Sequence, residues 1–228
     1  KAVFRNSFLE YREVNEKTDK PGEVRFTKVA ATISNITNQD SLIAKNPNMR
    51  VDFKALFLGM AKVDVTLNLK LGDKQGRFTG SGDLGKFDAK NLNRITEPMG
   101  LARVERGTVN SLHFDMTGNN YEGDGKLTMK YEDLKISSLK LADEEDDKEF
   151  KKKGFQSFLA NVLVKNKNPS GGNLRSADMH TERNTNRSFF NIIWKTIFTG
   201  VKETVGMQML GKKQKPDPDK PGEGKKKD

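Results

Sequence analysis

The chain contains no cysteine, which removes a disulfide scaffold and a thiolate zinc site from consideration. A cysteine-free chain tolerates oxidising and reducing compartments alike, so the absence does not choose between them. Histidine is almost as scarce: His113 and His180 are the two present, which leaves imidazole chemistry few places to arise. No uninterrupted apolar run reaches the roughly 18 residues that a membrane-spanning helix needs. Apolar residues are also few, at 34% of 228, against 32% charged. A sheet wetted on one face suits that balance better than one covered on both.

What is present is positive charge, a formal net +10. Such an excess favours anionic partners: nucleic acid, acidic protein or a phospholipid surface. Part of it is concentrated at the end, where seven lysines fall between Lys212 and Lys227 among Pro216, Pro218 and Pro221. That stretch buries no apolar area and is expected to be disordered. The first residue is Lys1 and no signal peptide is visible, so the chain is expected to be part of a longer protein.

Along the chain, period-two alternation dominates. Val3 to Val14 reads as a strand, followed by a turn at Asp19-Lys20-Pro21-Gly22. Val24 to Ile36 has an imperfect period that places a bulge near Lys28. Met49 to Leu58 alternates, and Gly59 permits a reversal. The clearest pattern is Ala61, Val63, Val65, Leu67, Leu69 and Leu71, interleaved with Lys62, Asp64, Thr66, Asn68 and Lys70. A helix would scatter those apolar residues around its axis, whereas a strand puts them on one face. Gly72 to Gly76 is a hairpin loop, and Phe78, Gly80, Gly82 and Leu84 continue the meander.

A short helix is expected from Asp88 to Ile95, ended by Glu97-Pro98 and Gly100. Asn110, Leu112, Phe114 and Met116 then alternate in one strand, and Tyr121 to Tyr131 in the next, with Leu134 to Leu141 as an extension. A charge run from Asp143 to Lys153 reads as a solvated loop. Phe155, Phe158, Leu159, Val162 and Leu163 have helical spacing, and Leu174 to Glu182 returns as a strand. From Arg187 to Met209, the residues Phe189, Phe190, Ile193, Trp194, Ile197, Phe198, Val201 and Val205 form one amphipathic stripe. The chain thus divides into a sheet region over 1–141, a charged loop over 142–154, a closing region over 155–209 and a tail over 210–228.

Catalytic candidates are weak. Ser111, His113 and Asp115 share a strand face, but i and i+2 side chains lie ~6–7 Å apart, which strains direct hydrogen bonds. A wet strand face is the plainer reading. His180 lies near Asp178 and Glu182 with the same spacing, and a metal site would need further ligands. Gly80-Ser81-Gly82-Asp83-Leu84-Gly85 matches a dinucleotide-binding fingerprint, yet the flanking strands alternate like antiparallel ones and no βαβ unit follows. Glycines that admit close approach explain it better. Nucleic-acid binding is disfavoured, because the strands lack interleaved exposed aromatics and the bases are spread among acids. No catalytic residue, metal or cofactor is expected.

One ordered set of segments carries a resemblance. Phe78-Thr79-Gly80-Ser81-Gly82-Asp83-Leu84-Gly85-Lys86-Phe87-Asp88 is followed by Leu92-Asn93, Glu97-Pro98 and Val104-Glu105-Arg106-Gly107. Leu112-His113-Phe114-Asp115-Met116-Thr117-Gly118, Tyr121-Glu122-Gly123-Asp124-Gly125 and Tyr131-Glu132-Asp133-Leu134-Lys135 come next. Arg187-Ser188-Phe189-Phe190-Asn191-Ile192-Ile193-Trp194-Lys195 and Gly200-Val201-Lys202-Glu203-Thr204 complete it. In that order they resemble the C-terminal region of AsmA-like proteins of the double-membrane bacterial envelope. The resemblance implies a mainly β fold: a curved antiparallel meander with an apolar concave face, one short inserted helix and C-terminal amphipathic helices. It also implies a periplasmic setting, an inner-membrane anchor upstream, a role in envelope maintenance and movement of phospholipid between membranes, without enzymatic activity.

Two questions stay open in the sequence. The face carrying Val63, Val65, Leu67, Leu69, Leu71, Leu112, Phe114 and Met116 is either a surface for acyl chains or a dry core. The stripe of Phe189, Phe190, Ile193, Trp194, Ile197, Phe198 and Val201 either docks on the sheet or meets a membrane or an envelope protein partner.

Overall fold

A computed structural model describes residues 1–15, 18–141, 155–162 and 164–207. The chain is mainly β, and its described residues form an open antiparallel sheet of ten strands with three α-helices. The strands are β1 (Ala2–Asn15), β2 (Lys20–Ser34), β3 (Asn48–Phe57), β4 (Ala61–Lys70), β5 (Phe78–Leu84), β6 (Phe87–Asp88), β7 (Ala102–Gly118), β8 (Glu122–Leu141), β9 (Phe155–Val162) and β10 (Ser176–Glu182). The helices are α1 (Asp40–Lys45), α2 (Asn93–Gly100) and α3 (Phe189–Val205). Neighbours run β1-β2-β3-β4-β5-β7-β8-β10, with β6 on β7 and β9 on the C-terminal half of β8.

Local chemistry sets several of these boundaries. Lys28 adopts φ 51° where the β2–β3 register shifts between Thr27 and Ala30, the bulge that the broken period of β2 predicts. Leu58 and Gly59, at φ 51° and 78°, reverse the chain between β3 and β4. The Asp88 carboxylate accepts from the Lys90 amide and caps a 3-10 turn, Ala89–Leu92, that leads into α2.

Three expectations need correction. The turn after β1 lies at Thr18-Asp19, and Pro21 and Gly22 belong to β2. On the β3 side Pro21 meets no strand, since β3 joins β2 only from Phe26 onward. Pro98 lies inside α2 rather than ending it. Its missing ladder bond is offset by docking: its carbonyl accepts from Thr18 Oγ1 at 2.9 Å and Asn15 Nδ2 at 3.0 Å. Leu101, left-handed at φ 49°, ends the helix instead. Finally, residues 155–162 are strand β9 and not a helix. A nine-residue helical pattern is too short to hold itself, whereas the C-terminal half of β8 offers a strand edge, pairing Ile136 with Val162 and Leu141 with Phe155. The charged stretch 142–154 and the tail 210–228 lie outside the described residues.

The sheet curls. β1 and β8 are six strand spacings apart in the sheet order, roughly 29 Å if flat. Yet α3, about 10 Å across, touches both. Asn191 Nδ2 and Trp194 Nε1 donate to Glu13 on β1 at 2.7 and 3.1 Å. Thr196 and Ile192 pack on Gly123 of β8, so closely that a Cβ there would meet Thr196 Oγ1 at 2.6 Å.

Candidate functional site

Strand register assembles the apolar residues into continuous rows on one face. One row runs Ala2, Ile33, Val51, Leu67, Gly80, Met116, Gly125, Met179. The next runs Phe4, Ala31, Phe53, Val65, Gly82, Phe114, Leu127, Ala177. A shorter row joins Ala55, Val63, Leu84, Leu112 and Met129. The residues that alternation singled out therefore lie on adjoining strands of one surface. Leu71 stands apart, beyond the end of β4, where its amide donates to the Pro47 carbonyl.

Coverage divides this face. Leu112, Phe114 and Met116 are only 7%, 4% and 3% exposed and belong to a core with Leu127, Met129, Met179, Ile192 and Ile193. Val63, Val65, Leu67 and Leu69 are half-buried, as are Ile33, Val51 and Phe53 beside them. The glycine motif belongs to the packing: a Cβ on Gly82 would lie 2.6 Å from the Phe114 ring and 2.9 Å from Val65 Cγ2. With hydrogen at that position, the Phe114 ring packs closely over Gly82. The fingerprint is therefore a packing device, with no βαβ unit around it.

The aromatic helix docks on the sheet. Phe189 meets Phe78 with ring centres 4.9 Å apart, and Phe190 meets Tyr11 at 4.8 Å. Gly200 seats the helix against Met179 and Leu127. Ile193 is buried; Trp194, Ile197, Phe198 and Val201 are half-buried, and no residue from Phe189 to Met207 is exposed. The buried side takes Ile193 and Val205 from the apolar stripe and adds Asn191, Ile192, Thr196, Gly200 and Thr204, which the stripe does not mark. Thr196 and Thr204 satisfy their hydroxyls on the carbonyls four residues back, and polar residues thereby enter a helix interface. Lys202 lies over the Phe198 ring at 5.2 Å, and desolvation, with Lys195 nearby, lowers its pKa.

Glu13 is the residue that sequence reading missed most completely. It is 7% exposed, and one carboxylate oxygen accepts from Tyr11 Oη at 2.9 Å as well as from Asn191 and Trp194. This cluster fastens β1 to α3. The signal available in the sequence was a lone acid at an inward position of an alternating strand.

The opposite face is wet and ionic. His113 lies between Asp83, directly across the ladder at 2.8 Å, and Asp115 at 3.0 Å. The ring therefore does reach its i+2 neighbour, against the spacing argument. The Asp83 bond chiefly raises its pKa; desolvation opposes it, and the Asp115 bond adds a smaller rise. Ser81 and His113 lower that of Asp115. His180 bonds Asp124 of β8 at 2.7 Å, and its pKa is raised by that partner. With Glu122 these two present ligand-type atoms within 4.8 Å of one another, so β8 supplies acids that neither Asp178 nor Glu182 had suggested. Both histidine clusters are exposed. On β1 and β2, Arg12 and Arg25 each bridge Glu10 and Glu23 at 2.6–3.2 Å.

Among the described residues no helix is long and apolar enough to cross a membrane. Comparison with protein-family models, curated proteins and solved structures returns no match.

Proposed function

We propose that this chain is a non-enzymatic, AsmA-like envelope segment that shields phospholipid acyl chains along the apolar face of its sheet. The observation that carries the reading is the half-covered patch of Ile33, Val51, Phe53, Val65, Leu67 and Leu69, continuous by register with a fully packed core. Covering it with one acyl chain gains about 0.8 kcal/mol per CH₂ removed from water. The headgroup stays in water beside a chain whose net charge of +10 suits anionic lipid. The periplasmic side of a bacterial envelope, next to an inner-membrane anchor, is the setting this activity fits. Photo-crosslinking groups placed at Val51 and Leu67 are expected to capture phospholipid in bacterial extracts, and groups at Thr66 and Asn68 on the wet face are not. Equal labelling of both faces, or none, with a lipid-free purified protein by mass spectrometry, refutes the conduit. A scaffold that captures an envelope protein through its sheet edge is the second reading, favoured by the exposed apolar residues of β1.

A further inference from the structure

Among the described residues β1 pairs with β2 alone, which leaves one backbone edge of a long strand open. Folded proteins blunt such edges with proline, lysine, bulges or short length. β1 uses a bulge at Asn6, at φ 44°, and its pairing with β2 shifts again between Ser7 and Leu9, but from Leu9 to Val14 it runs regularly with neither proline nor lysine. It also holds five of the ten large apolar side chains that are exposed among the described residues, with Phe8 at 61% and Val14 at 48%.

The order of residues on that edge is self-complementary. Phe8, Glu10, Arg12 and Val14 share the wet face, Glu10 and Arg12 being set there by their bridges to Arg25 and Glu23. Turned antiparallel about Tyr11, the strand meets itself with Phe8 opposite Val14, Glu10 opposite Arg12, Arg12 opposite Glu10 and Val14 opposite Phe8. Apolar then faces apolar and acid faces base at every wet-face position, the arrangement that stabilises cross-strand pairs. We propose that the β1 edge pairs with the same edge of a second copy of this chain, about a two-fold axis at Tyr11 perpendicular to the sheet. Such an axis places both apolar faces on one side, as a single continuous surface. The inference is independent of whether lipid binds there.

The absence of native cysteine makes the register directly testable. Phe8→Cys protein mixed with Val14→Cys protein is expected to give a disulfide-linked pair under mild oxidation, whereas each variant alone gives none. Directly opposed antiparallel residues have Cα atoms ~4.5–5.5 Å apart, within disulfide reach. By light scattering the unmodified chain is expected to run as a dimer at tens of micromolar. Phe8→Glu, an exposed change that leaves the fold intact, is expected to weaken dimerisation about tenfold, since the two-fold removes two contacts at once. A monomeric mass for the unmodified chain, cross-linking of each variant alone as readily as of the mixture, or a Phe8→Glu dimer of unchanged affinity overturns the proposal. The monomeric result assigns the edge to a strand from another segment or protein.

Discussion

The two halves of the apolar face are written in the same alternating pattern and end in different states. On β7, β8 and β10 the inward residues are buried in the core that α3 closes; on β2, β3 and β4 Phe26, Val29, Ala55 and Ala61 are buried, but Ile33, Val51, Phe53, Val65, Leu67 and Leu69 remain half-buried. The difference is legible in the glycines. Gly80, Gly82 and Gly125 lie where a Cβ would collide with the flanking strands, and Gly123 and Gly200 where it would collide across the α3 interface, while β3 and β4 contain no glycine at all. Alternation reports which face is apolar. Residues too small to fill their own share of that face report where something else covers it.

The largest expected effect breaks the sealed half. Leu127 is 0% exposed beneath Gly200. Leu127→Ala is expected to cost ~2–5 kcal/mol in urea unfolding, as for a cavity in a close-packed core. Leu67→Ala, one row and three strands away, is expected to cost about 1 kcal/mol or less, because the half-buried side chain gives up less area. Equal losses would abolish the distinction between the halves.

Glu13 tests what joins them. Glu13→Ala leaves the Asn191 amide buried without its carboxylate and releases Tyr11 and Trp194. The expected cost is ~1–3 kcal/mol, the penalty of an unsatisfied buried donor. Amide exchange is expected to accelerate on β1 and at the N-terminal turns of α3, and to stay slow on β7 and β8. Uniform acceleration would show that the sheet opens as one unit rather than from this seam.

Much of the architecture was open to sequence reading, and the failures share a cause. β4 was readable because six alternating residues admit one geometry, and β2 because its broken period marked the Lys28 bulge. β9 was not, since what decides it is the edge that Ile136 to Leu141 of β8 offers, which the spacing within residues 155–162 does not carry. Part of the buried side of α3 was missed for a similar reason. Asn191, Thr196 and Thr204 are polar by type and buried by partners that sit on β1 or on the preceding helical turn. Likewise the acids around His180 come from β8, across the ladder, and spacing within β10 does not reveal them.

The smallest effect separates the halves by pH. His113 on β7 and His180 on β10 are the chain's two histidines, and β1 to β4 have none. Carboxylate partners raise both imidazole pKa values, Asp83 and Asp115 for His113, and Asp124 with Glu122 and Glu182 for His180. A folded-state pKa above the unfolded value contributes stability that is fully present below the ordinary ~6.5 and is lost as pH climbs through the raised value. Both rings are exposed, so solvent screens the pairs and the effect is modest. The thermal midpoint is expected to fall by on the order of a degree from about pH 6 to pH 8 in low salt, and by less in high salt. The His113→Gln, His180→Gln double variant is expected to flatten that slope, with lipid labelling at Val51 and Leu67 unchanged. A slope of the opposite sign, or one that survives the double substitution, would place the titrating groups elsewhere in the fold.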